Sequence, residues 1–270
     1  MKSFHLHLIS DATGETIIGL ARAALAQFED VDATEHLWSL IRSPAQVERV
    51  LANIEANPGV VMFTFVNPEL RTALEAGCRS LQLPCIPVLD PVIGTLSIYL
   101  GAESQGRPGR QHVLDNEYFN RIDSMNFVLS HDDGQLAGDL EDADIVIIGV
   151  SRTSKTPTCF YLANRGLKAA NIPIVPGVPT PRELDSLSKP LIVGVTRNPE
   201  SLVQIRRNRL DMLHQDEETD YVDLEQVREE VMTARRLCTE RGWPVIDVSR
   251  RSIEETAAEI LQLLTERLED

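Results

Sequence analysis

The sequence predicts an α/β fold, in which an N-terminal domain built on an open parallel sheet is followed by a second α/β domain. Three observations lead to this prediction. Short apolar runs alternate with helical patterns along almost all of the 270 residues, as they do in parallel sheets with crossover helices. A stretch rich in glycine, serine and proline, 101–110, interrupts this alternation. A new apolar run, Asp144–Ile148, then leads into a loop that opens with glycine.

The first domain is expected to span residues 1–100 and to contain four strand–helix units. Its predicted strands are Phe4–Ile9, Glu35–Leu40, Val60–Phe65 and Pro84–Leu89. Predicted helices cover Thr16–Phe28, a segment that opens at Ser43-Pro44, and a segment from Pro68 towards Leu81. Proline is well suited to the first turn of a helix, because the N–H that it lacks would have no partner there.

Residues 101–142 are expected to connect the domains and to carry one helix, and the second domain is expected to span 143–270. After Asp144–Ile148, its predicted strands are Ile172–Val175, Leu191–Val195 and Val245–Val248. Its predicted helices are Thr158–Arg165, Ser201–Leu210, Leu224–Arg241 and Ser252–Leu268. Ser252 and Glu255 have the spacing of a capping box, which should fix the start of the last helix.

Composition excludes several classes of function. The formal net charge of −15 disfavours nonspecific binding to nucleic acid or to an anionic membrane. No apolar run is long enough to span a bilayer, and the first residues lack the apolar region of a signal peptide. The 4 cysteines are scattered, as is typical of buried thiols in a reducing compartment. We therefore expect a cytoplasmic protein without a nucleic-acid or membrane partner.

The most informative segment is the loop that follows Asp144–Ile148. An apolar strand, a glycine-opened loop and a helix start have the layout of a phosphate-binding loop. Lys155 would supply charge to the terminal phosphates and the Thr156 hydroxyl could bind Mg²⁺, whereas Ser154 replaces the second glycine of the usual pattern. The predicted nucleotide-binding residues are Gly149, Val150, Ser151, Arg152, Thr153, Ser154, Lys155 and Thr156. The second domain is therefore predicted to be a P-loop kinase-like α/β domain, although an ordinary strand–helix turn with a surface lysine is the alternative.

Two adjacent carboxylates, Asp132 and Asp133, precede this strand. Such carboxylates can hold Mg²⁺, and one of them could take a proton from a hydroxyl nucleophile. We therefore predict Asp132, Asp133 and Lys155 as catalytic residues, and Thr156 and Asp132 as metal ligands. The alternative is a helix end followed by a common Asp-Gly turn.

Two further segments are weaker candidates for binding phosphate. The turn 10–16 lies where the first strand meets the first helix, at the edge where open α/β sheets bind ligands, but it could equally be a capped turn. Arg206 and Arg209 lie three residues apart on a predicted helix and could clamp a phosphate, as could Arg152. The alternative for the pair is a solvated helical face.

Taken together, the motifs resemble the bifunctional regulatory proteins of pyruvate,phosphate dikinase and of phosphoenolpyruvate synthase. The matching stretches run in family order over nearly the whole chain. They are SDATGET at 10–16, the segment 107–112, YFNRI at 118–122, HDDG at 131–134, GVSRTSKTPT at 149–158, YLA at 161–163, ANIP at 170–173 and IRRNR at 205–209. The Ser-Arg-Thr-Ser-Lys-Thr loop is similar to the dikinase branch, whereas the synthase branch tends to carry Cys-Gly before the lysine.

This resemblance implies two opposite reactions on a protein substrate. An ADP-dependent kinase activity would phosphorylate a threonine next to the catalytic histidine of pyruvate,phosphate dikinase and inactivate that enzyme. A phosphate-dependent activity would remove the phosphoryl group, release pyrophosphate and restore the dikinase. The resemblance also makes a homodimer a reasonable expectation. ADP rather than ATP as the donor is implied by the family alone.

Three alternatives remain open at this point. The same chemistry could act on phosphoenolpyruvate synthase. A small-molecule kinase with a phosphate-binding loop would turn over ATP with a metabolite and would need no protein partner. A regulator that only senses nucleotide would bind ADP without forming phosphothreonine, but it would not need the carboxylate pair as a base.

Overall fold

The structure is a computed structural model and describes residues 2–109, 116–134, 139–213 and 220–269. It divides into two compact units, Met1–Val113 and Leu114–Asp270. Each unit contains a four-stranded sheet in which all neighbouring strands run parallel. The predicted α/β class with two parallel sheets is therefore confirmed.

The first unit has the sheet order β2-β1-β3-β4. Its strands are β1 (Lys2–Ile9), β2 (Val31–Trp38), β3 (Gly59–Phe63) and β4 (Cys85–Pro87). Its helices are α1 (Glu15–Leu25), α2 (Pro44–Ala56), α3 (Pro68–Ser80) and α4 (Asp90–Leu100). Proline occupies the first turn of α2, as predicted, and the Asn67 side chain caps α3 by accepting hydrogen bonds from the N–H groups of Glu69 and Leu70.

The second unit has the order β6-β5-β7-β8. Its strands are β5 (Ile145–Gly149), β6 (Ala169–Pro173), β7 (Leu191–Thr196) and β8 (Val245–Asp247). Its helices are α5 (Asn116–Ser130), α6 (Lys155–Ala163), α7 (Pro199–Leu213), α8 (Leu224–Glu240) and α9 (Ile253–Glu269). Short 3-10 helices cover Asp132–Gly134, Leu140–Asp142, Arg182–Asp185 and Asp220–Val222.

Both sheets place their first strand between the second and the third strand of the same unit. The chain therefore leaves the first strand towards one side and continues from the third strand on the other side. Such a reversal opens a crevice at the carboxyl ends of the strands, and ligands of doubly wound sheets bind there. In the second unit this crevice lies at the ends of β5 and β7.

The core of the second unit lies on both faces of its sheet. Every residue of β5 and β7 is buried, as expected for central strands of a parallel sheet covered by helices. Apolar residues of α7 and α8 pack on one face, and those of α5, α6 and α9 pack on the other. The helix α5 contacts α6 and β6, so the helical part of the segment 101–142 packs within the second unit.

Two predicted strands are displaced along the chain. β2 covers Val31–Trp38 rather than Glu35–Leu40, since its polar, half-exposed sequence belongs to an edge strand that pairs with β1 alone. β6 covers Ala169–Pro173 rather than Ile172–Val175, because two buried alanines begin it and carry little apolar signal. The predicted capping box is confirmed: Ser252 N donates to Glu255 Oε2 at 2.8 Å and Glu255 N donates to Ser252 Oγ at 3.1 Å.

Among the described residues, no helix combines the length and the apolar character needed to cross a membrane.

Candidate active site

The loop between β5 and α6 has the backbone of a tight anion-binding turn. A Cβ atom at Gly149 would lie 2.5 Å from the carbonyl oxygen of Val195, so only glycine fits there. Arg152 and Ser154 adopt left-handed backbone conformations, with φ of 69° and 63°. The serine at the usual glycine position therefore does take a conformation that costs a side-chain-bearing residue about 1 kcal/mol. α6 begins directly afterwards, at Lys155, so the free N–H groups of its first turn face the end of the sheet.

Lys155 is held inside this loop and is only 5% exposed. Its Nζ atom donates a hydrogen bond of 3.0 Å to the carbonyl oxygen of Val150. Burial lowers the pKa of Lys155 to about 8, although the Asp133 and Asp132 carboxylates oppose this effect. An ammonium group with such a pKa would gain strongly from a phosphate placed beside it.

The predicted acidic pair is brought to the start of α6. The Thr156 hydroxyl donates to Oδ1 of Asp132 at 2.9 Å, across 24 residues of sequence. Asp132 and Asp133 lie in the 3-10 helix that follows α5, and Asp133 has a left-handed φ of 51°. Asp133 is exposed, whereas Asp132 is half-buried. The structure therefore brings together Lys155, Thr156 and both carboxylates, which the sequence predicted as separate motifs.

Asn171 on β6 connects these groups and was not predicted as a site residue. Its side-chain nitrogen lies 2.6 Å from Asp132 Oδ1, 2.9 Å from Thr156 Oγ1 and 3.2 Å from Asp133 Oδ1. An amide nitrogen has only two hydrogens to share among these oxygens. The Asn171 side chain is 1% exposed and its Oδ1 atom has no hydrogen-bond partner. The strand was predicted to begin only at Ile172, so the available sequence signal was the place of Asn171 in the ANIP stretch at 170–173.

The oxygen atoms of Asp132 and Thr156 suit a magnesium ion. Mg²⁺ prefers oxygen ligands and is commonly held by one or two carboxylates together with substrate phosphates. Asp132 and Thr156 would hold the ion, and the unpartnered carbonyl oxygen of Asn171 lies in the same cluster. Within the described ranges, no group of three or more His, Cys, Asp or Glu side chains could hold a metal by itself.

The buried Arg206 side chain holds the backbone of the loop and is not exposed to a ligand. Its side chain is 1% exposed and forms an ion pair of 2.6 Å with Glu230. It also donates to the carbonyl oxygens of Tyr221 at 3.0 Å and Ser151 at 3.4 Å. Its guanidinium carbon lies 4.4 Å from the centre of the Tyr221 ring. Arg209 is exposed, so the two arginines predicted to form a clamp have different environments.

A cavity of about 330 Å³ lies over the loop. Its walls are formed by Asp133, Ser151, Arg152, Ser154, Lys155, Thr156, Pro157, Pro173 and Ile205. Arg152 thus remains a candidate for contacting phosphate, as predicted. Arg197, at the end of β7, was not predicted; its Nη2 atom lies 3.5 Å from Ser154 Oγ. Residues at the carboxyl ends of β5 and β7 therefore meet at the same candidate site.

The turn 10–16 forms a separate small pocket within the first unit. Ser10 Oγ accepts hydrogen bonds from Ala12 N at 3.1 Å and from Thr64 Oγ1 at 3.0 Å. The buried Asp11 carboxylate accepts from Val66 N at 2.9 Å, and burial raises its pKa. These contacts stabilise the loops after β1 and β3. Of the segment 107–112, which matches the family resemblance, residues 110–112 lie outside the described residues.

Comparison with known proteins places the chain in a family. The sequence model of the kinase/pyrophosphorylase family matches residues 6–261. A relative from Paramagnetospirillum magneticum is 59% identical over 269 residues, which cover 100% of this chain and 86% of the relative. A relative from Caulobacter vibrioides is 55% identical, over 97% of this chain and 83% of the relative. A relative from Rhodospirillum rubrum is 52% identical, over 98% of this chain and 96% of the relative. All three are named as pyruvate, phosphate dikinase regulatory proteins.

Family membership implies phosphotransfer. Enzymes that carry out this chemistry commonly use a phosphate-type loop, a lysine and carboxylates, and all of these meet at the candidate site. The match extends over nearly the whole chain and includes both units. This chain belongs to the kinase/pyrophosphorylase family.

Proposed function

We propose that this protein regulates pyruvate,phosphate dikinase by reversible phosphorylation of a threonine next to the catalytic histidine of that enzyme. ADP would be the donor for phosphorylation, and inorganic phosphate would accept the phosphoryl group in the reverse regulatory step. The observation that carries the proposal is the contact of Thr156 with Asp132 beside the buried Lys155. The resemblance of the sequence to the dikinase branch and the names of its relatives support the choice of substrate.

In the inactivating reaction, the threonine oxygen attacks the β-phosphorus of ADP. The bond between that phosphorus and the bridging oxygen breaks, and AMP leaves. Lys155 and the N–H groups at the start of α6 would stabilise the phosphoryl oxygens. Mg²⁺ held by Thr156 and Asp132 would supply further positive charge to the phosphates. Because Asp132 is already bonded to Thr156 and Asn171, the exposed Asp133 is the better placed base for the threonine proton.

In the activating reaction, an oxygen of inorganic phosphate attacks the phosphorus of phosphothreonine. The bond from phosphorus to the threonine oxygen breaks, that oxygen takes up a proton, and pyrophosphate leaves. In both reactions one phosphorus moves between the threonine oxygen and an oxygen of a second phosphate group, so one cavity can serve both. Asp133 would accept the threonine proton in the first reaction, and in the second it would pass to the threonine oxygen the proton that the attacking hydrogen phosphate loses.

The experiment is mass spectrometry on purified pyruvate,phosphate dikinase that has first been phosphorylated on its catalytic histidine. The dikinase is incubated with this protein, Mg²⁺ and ADP, beside reactions with ATP alone and with phosphoenolpyruvate synthase. We expect a phosphoryl group on the neighbouring threonine, and its loss with pyrophosphate formation when phosphate is added. If phosphoenolpyruvate synthase were phosphorylated instead, the same chemistry would have that enzyme as its substrate.

Lys155→Ala is the matched variant, and Lys189→Ala, an exposed lysine, is its control. We expect Lys155→Ala to lose roughly 10²- to 10³-fold in rate, as for other groups that stabilise transition-state charge. A folded Lys155→Ala protein with full activity would refute the assigned role of this lysine. ADP binding with no phosphothreonine on either target would refute catalysis and leave a nucleotide sensor.

A further inference from the structure

A second and larger cavity lies in the same unit, between α8 and the loop that follows β6. It has a volume of about 680 Å³, within the range of pockets that bind small organic molecules. One wall consists of loop residues that include Val175 and Val178, and the other consists of α8 residues that include Gln226, Thr233 and Leu237. None of the contacts assigned to the phosphoryl groups uses this space.

The two cavities share the backbone of the phosphate loop. Val150 lines the larger cavity, and the next residue, Ser151, lines the cavity over the loop. Likewise, Ile174 lines the larger cavity and the preceding Pro173 lines the other. The two segments are joined by a hydrogen bond of 2.9 Å from Ile174 N to the carbonyl oxygen of Gly149. A ligand in the larger cavity would therefore lie beside a ligand held by the phosphate loop.

The lining of the larger cavity indicates the chemistry of its ligand. Valine, proline, isoleucine and leucine side chains offer flat apolar surface, whereas Gln226, Glu229, Glu230 and Thr233 offer hydrogen-bonding groups along α8. Three carboxylates, those of Asp185, Glu229 and Glu230, line this cavity together with one guanidinium, that of Arg241. The excess of carboxylates would repel a phosphate, but carboxylates can accept hydrogen bonds from N–H groups. A planar heterocycle with an exocyclic amine could pack against the apolar wall and donate hydrogen bonds to the polar wall. A purine base is such a molecule.

Sheet topology points to the same occupant. In doubly wound sheets, the loop after the first strand binds the phosphates of a nucleotide, and the end of the second strand contributes to the nucleoside site. Here β5 carries the phosphate-type loop, and the loop after β6 forms one wall of the larger cavity. We propose that this cavity binds the purine nucleoside of the nucleotide whose phosphates lie on the loop, an inference that rests on the proposed function.

The ion pair of Arg206 with Glu230 links the two parts of this composite site. Glu230 lines the larger cavity, and Arg206 donates from the same guanidinium nitrogen to Glu230 Oε2 and to the Ser151 carbonyl oxygen. Contact of the base with Glu230 would thus act on a residue that positions the phosphate loop. This arrangement would favour nucleoside diphosphates over pyrophosphate alone, since only the former fill both cavities.

The test compares binding of ADP with binding of inorganic pyrophosphate by isothermal titration calorimetry, both with Mg²⁺. Pyrophosphate reports on the phosphate loop alone. Thr233→Phe fills the cavity from α8, and Val178→Phe, at a residue that is 60% exposed, fills it from the facing wall. Met232→Phe is the matched control, because Met232 is the neighbouring α8 residue, is 65% exposed and does not line the cavity. Circular dichroism establishes that each variant is folded.

We expect each cavity-filling variant to weaken ADP binding by at least about tenfold and to leave pyrophosphate binding unchanged, while Met232→Phe changes neither. Unchanged ADP binding in both folded variants would overturn the nucleoside site and leave the proposed function intact. Equal loss of ADP and pyrophosphate binding would also overturn it, since the effect would then lie on the phosphate loop. If the unaltered protein bound neither ligand, the proposed function would fail together with this inference.

Discussion

Asn171 and Asp132 are joined by a hydrogen bond of 2.6 Å, from the amide nitrogen of a buried strand residue to the carboxylate that also binds the Thr156 hydroxyl. The bond fixes one carboxylate of the acidic pair against the sheet. The neighbouring Asp133 remains exposed at the wall of the cavity over the loop. Two adjacent residues of the same type thereby acquire different environments, and the proposed roles of Asp132 as metal ligand and Asp133 as base rest on this difference.

The first prediction concerns Asn171→Ala. Without the amide, Asp132 and Thr156 lose the donor that sets their positions, and phosphoryl transfer should fall roughly 10- to 100-fold, as expected when reacting groups are misplaced by about 1 Å. The measurement is the initial rate of dikinase phosphorylation, with kcat and KM determined separately. Asn164→Ala, an exposed residue just after α6, is the control. An Asn171→Ala enzyme with normal kcat would show that the amide has a purely structural role.

The second prediction concerns the pH dependence of nucleotide binding. The pKa of Lys155 is lowered to about 8 by burial, and phosphates placed beside it would raise that pKa. The protein should therefore take up protons when ADP binds near pH 8, and its affinity for ADP should decrease as the pH rises above about 8. Calorimetry in two buffers with different ionisation enthalpies measures this uptake. Proton uptake that persisted unchanged in Lys155→Ala would assign it to another group.

The third prediction concerns the buried ion pair of Arg206 with Glu230. Glu230→Ala leaves a guanidinium buried without its carboxylate, so the free energy of unfolding of the second unit should fall by about 3–5 kcal/mol. Glu229→Ala is the matched control on the same helix, and its exposed side chain predicts a change within about 0.5 kcal/mol. Urea denaturation followed by circular dichroism gives both values. Equal stability of the two variants would contradict the scaffold role of Arg206.

The fourth prediction concerns His7 on β1. His7 is fully buried on β1. Its Nδ1 atom accepts a hydrogen bond of 3.3 Å from Trp38 Nε1. The ring proton therefore lies on Nε2, which donates it to the carbonyl oxygen of Asn57 at 2.8 Å. Burial, together with the nearby His36 and His5, lowers the pKa of His7, although the bond to Asn57 opposes this. Above about pH 6.5, both folded and unfolded His7 are neutral.

Below that pH, the unfolded chain binds the proton more readily than the folded protein does, so His7 should cause stability to fall as the pH decreases. Thermal unfolding between pH 7.5 and pH 5 measures the effect. In His7→Gln, which cannot titrate, the loss of stability over this interval should be smaller. A loss as large as that of the unaltered protein would assign the pH dependence to other groups.

The sequence was sufficient for features that depend on neighbouring residues. The apolar run before Gly149 predicted a buried strand, as found. A helix was predicted to follow the loop from Thr158, and α6 does follow it, although it begins three residues earlier, at Lys155. The capping box of Ser252 with Glu255 was predicted from spacing alone. These features are set by local hydrophobic pattern and by hydrogen bonds between residues at most a few positions apart, so the linear sequence contains them in full.

Only the tertiary structure decided which distant side chains meet. Asn171 reaches Asp132 across 39 residues, and Arg206 pairs with Glu230 across 24 residues. Spacing on a helix placed Arg206 and Arg209 on the same side, but it could not reveal that one lies against α8 while the other is exposed. The sequence by itself determined the alternation of strands and helices along the chain, the phosphate-type loop and its lysine, because local interactions specify them. The packing of helices on the sheet determined the partners of Asn171 and Arg206, because contacts across the core depend on the arrangement of the whole unit.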